Sequence, residues 1–322
     1  MIKSVIAGVG GYLPEKVLTN FDLEKMVETS DAWIQERTGI RSRHIADETQ
    51  TTSSLAIKAS ESALENAGIS GADIDLIILA TTTPDDTTPA TAMRVQAALG
   101  ATNAFAFDVQ AACSGFMYAL SVADKFIKTG TVKTALVIGA ETLSRIVDWN
   151  DRNTCVLFGD GAGAVIVKAK ETTEDSNSEI LDIILHSDGR LRDLLTTTGG
   201  VSRTQNAGFV HMEGREVFRH AVTNLSNVAQ EIIEKTGVQL SDIDYLVPHQ
   251  ANIRIIEGTA KKLDISSDKV IITLPEQGNT SAASIPLALY EGVKSQKLKK
   301  GHLILLDAMG AGFTWASALI RL

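Results

Sequence analysis

Short apolar runs alternate with amphipathic stretches along the whole chain. The apolar runs are rich in Val, Ile, Leu and Ala and lie at 75–80, 134–139, 164–167, 245–247 and 303–306. Runs that are apolar on both faces are typical of strands buried on both sides. Apolar positions at helical spacing predict amphipathic helices at 53–67, 114–128, 217–235 and 252–263. Sheets covered by helices on both faces predict an α/β protein.

One segment of the chain occurs twice. LENAGISGADIDLII, from Leu64, aligns without gaps with IEKTGVQLSDIDYLV, from Ile233. Both copies predict a helix, a glycine stop, a polar turn and a buried strand. A second pair, FGDGAGAVIV at Phe158 and AMGAGFTWASALI at Ala308, predicts a glycine-rich turn before an apolar strand in each half. We therefore predict two related α/β halves, residues 1–172 and 173–322, joined at the surface by the polar stretch 171–178.

Composition narrows the classes of function. The chain has 322 residues, 44% of them hydrophobic, and a net charge of −9, which disfavours a nucleic-acid role. No apolar run approaches the roughly 18 residues of a membrane span, and the first residues read as a strand and a turn rather than a secretory signal, so we expect a cytoplasmic protein. Two cysteines without a CxxC pair and six scattered histidines predict neither a disulfide scaffold nor a metal site.

Cys113 lies where an apolar strand passes through small residues into an amphipathic helix, in AFAFDVQAACSGFMYAL. A helix N-terminus favours an anion and can lower the pKa of a thiol, so the position predicts a nucleophile. The position alone fits a buried, inert cysteine equally well. Cys155, in the strand-like run TCVLF, is predicted to be structural.

His249 and Asn279 lie at two further junctions. His249 closes the strand YLVPH, and Asn279 lies in EQGNTSAAS between a strand and a helix. Taken singly, His249 also fits a structural histidine and Asn279 a helix cap. In the duplicated frame, however, the Asn279 junction corresponds to the Cys113 junction, and the strand before His249 to the strand that ends near Ala80. We therefore expect these strand ends to meet at one central cleft.

Six motifs in order carry a family resemblance over essentially the whole chain. They are TSDAWIQERTGIRSRH at Thr29, DVQAACSGFMYAL at Asp108, FGDGAGA at Phe158, VPHQANIRI at Val247, GNTSAAS at Gly278 and GAGFTW at Gly310. The chain resembles the β-ketoacyl-acyl-carrier-protein synthase III family, the initiating condensing enzymes of bacterial fatty acid synthesis, within the thiolase-like superfamily. The resemblance implies a homodimer with a thiolase-like α/β fold, in which two pseudo-duplicated halves form a layered α-β-α-β-α arrangement.

The resemblance also implies the reaction. Cys113 would take the acyl group from an acyl-CoA, malonyl-acyl-carrier-protein would lose CO2, and the resulting enolate would attack the acyl-Cys to give β-ketoacyl-acyl-carrier-protein and free CoA. His249 and Asn279 would stabilise the enolate, and the backbone N–H groups of Cys113 and Ala311 would form an oxyanion hole. The resemblance implies neither a metal nor a redox cofactor.

Relatives on the same fold differ at identifiable positions. Thiolases need a second catalytic cysteine near the C-terminal end, but no cysteine follows Cys155, and elongating condensing enzymes have a histidine where this chain has Asn279. No catalytic glutamate of the hydroxymethylglutaryl-CoA synthase kind can be identified in the sequence. A chalcone-synthase-like enzyme, or another secondary-metabolite condensing enzyme or acyltransferase that uses acyl-CoA, remains open. A non-condensing acyl-CoA binder or a carrier-protein scaffold would not need all three catalytic side chains.

Substrate contacts are also implied by resemblance. For the adenine end of CoA these are Trp33, Arg37 and Arg152, and for the pantetheine tunnel Thr29, Met212, Gly214, Phe218 and Asn252. For docking of the acidic carrier protein they are Arg219, Arg254, Lys261 and Lys262. The alternatives are an i, i+4 surface pair for Trp33 and Arg37 and a solvated helix face for the basic residues.

Three positions depart from the pattern of many relatives. Gly310, Ala311 and Gly312 stand where many relatives have three glycines, Met309 where an aromatic residue is common, and Thr88 where some members have a Phe that caps the acyl pocket across a dimer. We therefore expect a roomier or more pliable acyl pocket, formed with Thr88 and Met309, that admits chains longer than acetyl.

Overall fold

The computed structural model describes residues 2–171 and 178–322. The strands are β1 (Ile2–Tyr12), β2 (Val17–Thr19), β3 (Ser42–His44), β4 (Leu76–Ala80), β5 (Phe105–Val109), β6 (Thr134–Thr142), β7 (Asp160–Glu171), β8 (Glu179–Ser187), β9 (Leu195–Thr197), β10 (Val210–Met212), β11 (Tyr245–Pro248), β12 (Leu303–Gly310) and β13 (Thr314–Arg321). The helices are α1 (Asn20–Leu23), α2 (Asp31–Thr38), α3 (Thr52–Ala67), α4 (Thr91–Ala98), α5 (Gly115–Lys128), α6 (Val201–Thr204), α7 (Gly214–Thr236), α8 (Ile253–Lys262), α9 (Leu274–Gln277) and α10 (Ser284–Lys294).

Two main sheets organise these elements. The first has the order β1-β7-β6-β4-β5 and the second the order β11-β12-β13-β8. β4 runs parallel to β5 and β6, and β11 runs parallel to β12. Each sheet takes all its strands from one of the two predicted halves. The predicted boundary at 172–173, and most of the predicted connection 171–178, lie outside the described residues, so the division remains a prediction.

The elements stack as five layers. α5 and α10 lie between the two sheets, where their apolar side chains share a core with β4, β6, β12 and β13. α3 and α4 cover the outer face of the first sheet, and α7 and α8 cover the outer face of the second. The α/β class and the predicted α-β-α-β-α layering are confirmed. The five apolar runs that open the sequence analysis lie in strands of these sheets, apart from Asp75, which directly precedes β4.

The FGDGAGA segment differs from expectation. The sequence analysis predicted a glycine-rich turn, but β7 already begins at Asp160 and the glycines lie within the strand. A Cβ added at Gly163 would lie 2.6 Å from the backbone nitrogen of Leu287 on α10. The glycine is therefore needed for close approach of strand and helix rather than for a turn.

The internal repeat is visible in the backbone. Gly68 ends α3 with a φ of 64°, and Gly237 ends α7 with a φ of 71°. The carboxylates of Asp75 and Asp244 then accept the backbone N–H groups of Thr134 and Leu303, at 3.0 and 2.8 Å, which start β6 and β12. The repeat thus sets both the helix stop and the register of the next strand in each half.

Cys155 does not lie in a strand as predicted. It lies in a buried turn, where its N–H donates to the carbonyl of Asp151 at 3.0 Å. Asp148, Asp151 and Thr154 make short-range bonds around this turn, and such bonds favour turns over strands. Within the described ranges, no helix is long and apolar enough to cross a membrane.

Candidate active site

A cavity of about 1610 Å³ runs from the surface near Trp33 to the interior ends of the central strands. Cys113, His249 and Asn279 all line it. The structure therefore brings the three sequence-predicted side chains to one site. Cys113 follows β5 and His249 follows β11, so each of the two main sheets delivers one of them. Asn279 does not lie at the predicted strand-to-helix junction, because the residues before it form the short helix α9, with Pro275 in its first turn, rather than a strand.

Cys113 lies in a 3-10 turn, Ala112–Ser114, just before α5 begins at Gly115. Ala112 has a φ of 47°, in the left-handed region that residues with a side chain rarely adopt, so this turn is strained. Thr314 on β13 lies 3.0 Å from the carbonyl of Ala111 and 2.7 Å from the Ser114 hydroxyl, which braces the turn.

The protonation state of Cys113 differs from expectation. The sequence analysis predicted that a helix N-terminus would lower the pKa of the thiol. Instead, the pKa of Cys113 is raised to about 12, mainly by burial and to a smaller extent by the nearby carboxylate of Glu141. Burial has this effect because it disfavours the charged thiolate. At rest the Cys113 side chain is therefore a thiol.

His249 follows β11, and its N–H donates to the carbonyl of Asp307 at 2.8 Å. Its Nδ1 lies 2.6 Å from the hydroxyl of Ser284 at the start of α10. Burial lowers the pKa of His249 to about 3, so the imidazole is neutral at physiological pH. A neutral ring held at Nδ1 leaves Nε2 for the cavity.

Asn279 precedes a second 3-10 turn, Ser281–Ala283, which corresponds to the Cys113 turn in the repeat. Its N–H donates to the carbonyl of Leu157 and its carbonyl accepts from Gly159, which anchors the backbone to the first half. Its Oδ1 accepts the N–H of Ser281 at 2.9 Å. Because the amide oxygen is occupied, the two Nδ2 hydrogens are the groups left to donate into the site.

Most of the predicted CoA positions lie along the cavity wall. Trp33, Arg37, Met212, Gly214, Phe218 and Asn252 line it. The guanidinium carbons of Arg37 and Arg152 each lie 5.3 Å from the Trp33 ring centroid. Arg152 and Thr29 lie outside the lining, and the Arg152 guanidinium donates to the carbonyl of Glu28, the residue before Thr29, at 2.9 Å.

The predicted docking residues lie on two adjacent helices. Arg254, Lys261 and Lys262 are exposed on α8, and Arg219 is exposed on α7, paired with Glu216 at 2.6 Å. Arg215, one helical turn before Arg219, lines the cavity mouth together with Arg254. The sequence analysis missed Arg215, although its i, i+4 spacing from Arg219 signals a shared face.

Of the two predicted acyl-pocket residues, Met309 lines the cavity and Thr88 does not. Met309 lines the cavity and packs against Ala221, Leu225 and Phe313. Thr88 is exposed and lies outside the lining, whereas its neighbour Thr87 lies on the wall.

Polar side chains behind the catalytic set were also missed. Glu141, on β6, is fully buried and accepts a hydrogen bond from Ser281. The hydroxyl of Ser284 is hydrogen-bonded to the His249 ring. The side chain of Gln250 links the carbonyl of Pro248 to the backbone N–H of Thr273. One signal was available, since Glu141 is a charged residue in an otherwise apolar strand. Ser281, Ser284 and Gln250 lie within motifs that the sequence analysis quoted without assigning them a role.

The described part of the chain holds no group of three or more His, Cys, Asp and Glu side chains placed to bind a metal ion. The polar groups that face the reacting centre are a thiol, an imidazole and an amide.

Comparisons with known proteins agree on one family. Family models described as "3-Oxoacyl-[acyl-carrier-protein (ACP)] synthase III" and its C-terminal counterpart match residues 107–189 and 233–322. A β-ketoacyl-[acyl-carrier-protein] synthase III from Paramagnetospirillum magneticum is 60% identical over 100% of both chains. The crystal structure of 3-oxoacyl-[acyl-carrier-protein] synthase III from Aquifex aeolicus is 50% identical, with a TM-score of 0.94 over 99% of this chain and 100% of that one. A priming β-ketosynthase from the R1128 polyketide pathway is 35% identical, with a TM-score of 0.93 over 99% and 96% of the two chains.

Proposed function

The chain belongs to the 3-oxoacyl-[acyl-carrier-protein] synthase III family, and from this premise we propose that Cys113, His249 and Asn279 carry out its two half-reactions. As a member, it is an acyltransferase that catalyses the initiating condensation of fatty acid synthesis. The polyketide ketosynthase is a more distant relative, at 35% against 60% identity, so fatty acid initiation is the better-supported assignment. The observation that carries the proposal is the meeting of the three side chains in one cavity.

In the first half-reaction Cys113 attacks the thioester carbonyl of an acyl-CoA. The carbonyl oxygen becomes an oxyanion, which the backbone N–H groups of Cys113 and Ala311 stabilise. A Cβ added at Gly310 would lie only 2.6 Å from the nitrogen of Cys113, so these two segments run close enough to serve one oxyanion. CoA leaves, and the acyl group stays on sulfur.

In the second half-reaction malonyl-acyl-carrier-protein loses CO2, and the resulting enolate attacks the acyl-Cys113 carbonyl. The bond from that carbonyl carbon to Sγ then breaks, which releases β-ketoacyl-acyl-carrier-protein, and the Cys113 thiolate takes up a proton. Nε2–H of His249 and Nδ2–H of Asn279 donate to the enolate oxygen. The Ser284 hydroxyl supports this tautomer by donating to Nδ1, so that the single ring proton sits on Nε2. The imidazole and the amide are both neutral donors, so they stabilise the negative charge on the enolate oxygen by hydrogen bonds and not as a fixed counter-ion. No metal or redox cofactor takes part in this scheme.

Intact-mass spectrometry tests the acyl-enzyme. We expect acyl adducts after exposure of the protein to acetyl-, branched and longer acyl-CoAs, none on Cys113→Ala, and unchanged adducts on Cys155→Ala, which removes the other buried cysteine. Loss of adducts on Cys155→Ala alone, or their absence on wild type, would contradict the priming mechanism.

We assign the adenine end of CoA to Trp33, Arg37 and Arg152 at the cavity mouth. The two guanidinium groups against the indole form a flat cationic surface that suits a purine and its phosphates. The pantetheine arm then runs past Met212, Gly214, Phe218 and Asn252 towards Cys113. Thr29, four residues before Trp33, would contact its outer part. We also propose that the enzyme acts in the cytoplasm.

The acidic carrier protein would dock on Arg219, Arg254, Lys261 and Lys262. Lys261→Glu is the sharpest test because Lys261 is exposed and lies outside the cavity lining. We expect the KM for malonyl-acyl-carrier-protein to rise several-fold, with unchanged loading from acyl-CoA. Lys300→Glu, the same charge change on an exposed lysine far along the chain, is the control, and an equal effect from both variants would contradict the assignment.

Met309 gives the acyl pocket a pliable wall. We propose that this pocket, with Thr88 contributed across a dimer, accepts primers longer than acetyl. A kinetic panel of acyl-CoA lengths measures this, and strict preference for acetyl-CoA would exclude it.

We also propose a homodimer formed along β5. In the described residues β5 pairs only with β4, which leaves its other edge open, and Phe105 on it is 44% exposed. An open apolar edge is normally covered, and a second copy would continue the sheet.

A further inference from the structure

Glu141 sits at the centre of a hydrogen-bond cluster directly behind the nucleophile. Its carboxylate lies within 3.2 Å of the hydroxyls of Thr81, Thr82 and Thr83 and of the Thr82 N–H. The hydroxyl of Ser281 also lies 3.1 Å from its Oε1. The side chain is fully buried and faces the Cys113 turn.

Ser281 links this carboxylate to the thiol. Its hydroxyl donates to Glu141 at 3.1 Å. Ser281 and Cys113 both line the cavity, and the Ser281 hydroxyl lowers the pKa of the Cys113 thiol. Its backbone has a φ of 50°, a strained conformation that matches the φ of 47° at Ala112 in the other half. The residue is therefore held in position from both sides, by its own N–H on Asn279 and by its hydroxyl on Glu141.

The direction of the hydrogen bonds follows from the donor inventory. An ionised carboxylate can only accept, so the single hydroxyl hydrogen of Ser281 points at Glu141. The lone pairs of the hydroxyl are then free to accept the Cys113 proton when the thiol attacks. Once that proton has moved, the hydroxyl donates to the thiolate, which agrees with its lowering of the pKa of Cys113.

We propose that Ser281 and Glu141 form a proton relay that takes the Cys113 proton as the thiol attacks the acyl-CoA thioester. This inference rests on the proposed function. The Sγ–H bond breaks and its proton passes to Oγ of Ser281, while the Ser281 proton passes to Oε1 of Glu141. Sulfur uses the freed electron pair to bond the carbonyl carbon, and the departing CoA sulfur takes a proton back along the same path. The products are acyl-Cys113, CoA thiol and the original carboxylate.

The relay moves one negative charge within a buried site and creates no new one. Burial raises the pKa values of both Cys113 and Glu141, because each anion is poorly solvated and the two would repel. Transfer to His249 would instead create an imidazolium in the same enclosed space, where burial lowers the pKa of that ring to about 3. The relay is therefore the route with the smaller electrostatic cost.

Other ionisable groups lie on the elements around this path. His249 follows β11, Asp307 lies on β12, and Asp160 begins β7 beside Thr142 of β6. Further along the cavity wall are Glu48, Asp85, Asp86 and Arg145. In the described residues none of these groups is hydrogen-bonded to Ser281, whereas Glu141 is.

The test is single-turnover loading of Cys113 from acetyl-CoA between pH 6 and 10, followed by intact mass. We expect Glu141→Gln, which keeps the shape but loses the basic acceptor, to load about 10²-fold more slowly at pH 7. The deficit should shrink as pH rises, because hydroxide then removes the thiol proton directly. Ser281→Ala should show the same pH-dependent loading deficit as Glu141→Gln. In that variant Thr81, Thr82 and Thr83 still bond to the Glu141 carboxylate, so its position is kept.

Asp160→Asn is the matched control. Asp160 is an equally buried carboxylate that accepts from Ala46 and Ser144, and it has no contact with Cys113. It should keep the wild-type pH profile of loading. Enzyme pre-acylated at high pH should also release CO2 from malonyl-acyl-carrier-protein at the wild-type rate in the Glu141 and Ser281 variants, since decarboxylation precedes the departure of the Cys113 sulfur and moves no thiol proton.

Several outcomes overturn the relay. Wild-type loading rates in both variants at pH 7, or a slowing by one constant factor across the pH range, would assign Glu141 and Ser281 a purely structural role. Failure of the wild type to load would refute the proposed function itself, which is a distinguishable result.

Discussion

At the scale of single residues, burial more than neighbouring charge sets the protonation state of the proposed catalytic groups. It is the main reason why the pKa of Cys113 is raised to about 12 and that of His249 is lowered to about 3. Both shifts have the same main cause, since an enclosed site disfavours whichever form is charged. The resting site therefore holds a neutral thiol and a neutral imidazole, and in the proposed mechanism oriented hydrogen bonds move protons and stabilise oxyanions.

Ser284 is where the orientation of His249 can be tested. Ser284→Ala removes the donor to Nδ1, so the ring no longer favours the tautomer with its proton on Nε2. We expect decarboxylation of malonyl-acyl-carrier-protein to fall about 10-fold or more, with loading of Cys113 unchanged. Ser60→Ala is the control, because in the described residues the Ser60 hydroxyl bonds only to the carbonyl of Ala56 in its own helix. Equal losses in both half-reactions would contradict this role.

The titration of Asp307 makes the free energy of unfolding depend on pH. It is fully buried on β12, and in the described part of the chain neither carboxylate oxygen has a partner. The corresponding position of β6 in the repeat is the apolar Ile138. Burial raises the pKa of Asp307 from 3.8 to about 7. The unfolded chain therefore releases this proton at lower pH than the native one, so stability from this group is lost as pH rises from about 4 to about 7.

Asp307→Asn removes that titration. Between pH 5.5 and 8.5 we expect the variant to gain about 2 kcal/mol in free energy of unfolding relative to wild type, measured by urea titration. Asp193→Asn, at a largely exposed carboxylate, should show no such change. A pH-independent difference between Asp307→Asn and wild type would show that the carboxyl is charged in the native state.

At the scale of elements, the repeated helix, glycine stop and strand were predictable because their signals are local. Gly68 and Gly237 require a positive φ, and Asp75 and Asp244 cap the next strands, so sequence alone locates the junctions. The strand assignment at Cys155 failed because bonds from Asp151 and Asp148 outweighed its apolar neighbours. The predicted lowering of the thiol pKa at Cys113 was wrong because desolvation depends on residues packed around it from the second half of the chain. A local sequence pattern does not show that packing.

The end of β12 shows how closely two elements must meet at the site. A Cβ at Gly310 would lie 2.6 Å from the nitrogen of Cys113 and 3.0 Å from that of Ser114. Gly310→Ala should therefore displace the nucleophile turn and slow loading about 10²-fold, since small misplacements at a reacting centre are costly. Gly189→Ala, where an added Cβ meets nothing within 4 Å, is the control. Near-normal loading in Gly310→Ala would show that the turn can relax.

At the scale of the whole molecule, duplication explains why the site lies between the halves. The two sheets sandwich α5 and α10, whose N-termini follow the matching turns Ala112–Ser114 and Ser281–Ala283. Sequence motifs predicted that Cys113, His249 and Asn279 lie at one site, because the proposed chemistry restricts those residue types. They did not single out Glu141 or Ser284, because the contacts of these side chains depend on distances that only the packed layers define.

The open edge of β5 is a prediction at this same scale. Phe105 stacks on Phe107 with ring centroids 6.5 Å apart and meets Phe126 edge-on at 5.6 Å, which builds an apolar strip beside an unpaired strand edge. We expect light scattering to give a dimer, and Phe105→Glu to shift it towards monomer because charges would face each other across the joined sheet. Phe21→Glu, at a phenylalanine 61% exposed elsewhere on the surface, should leave the dimer intact. A monomeric wild type would refute the β5 interface, and a dimer that survives Phe105→Glu would move the interface to another face.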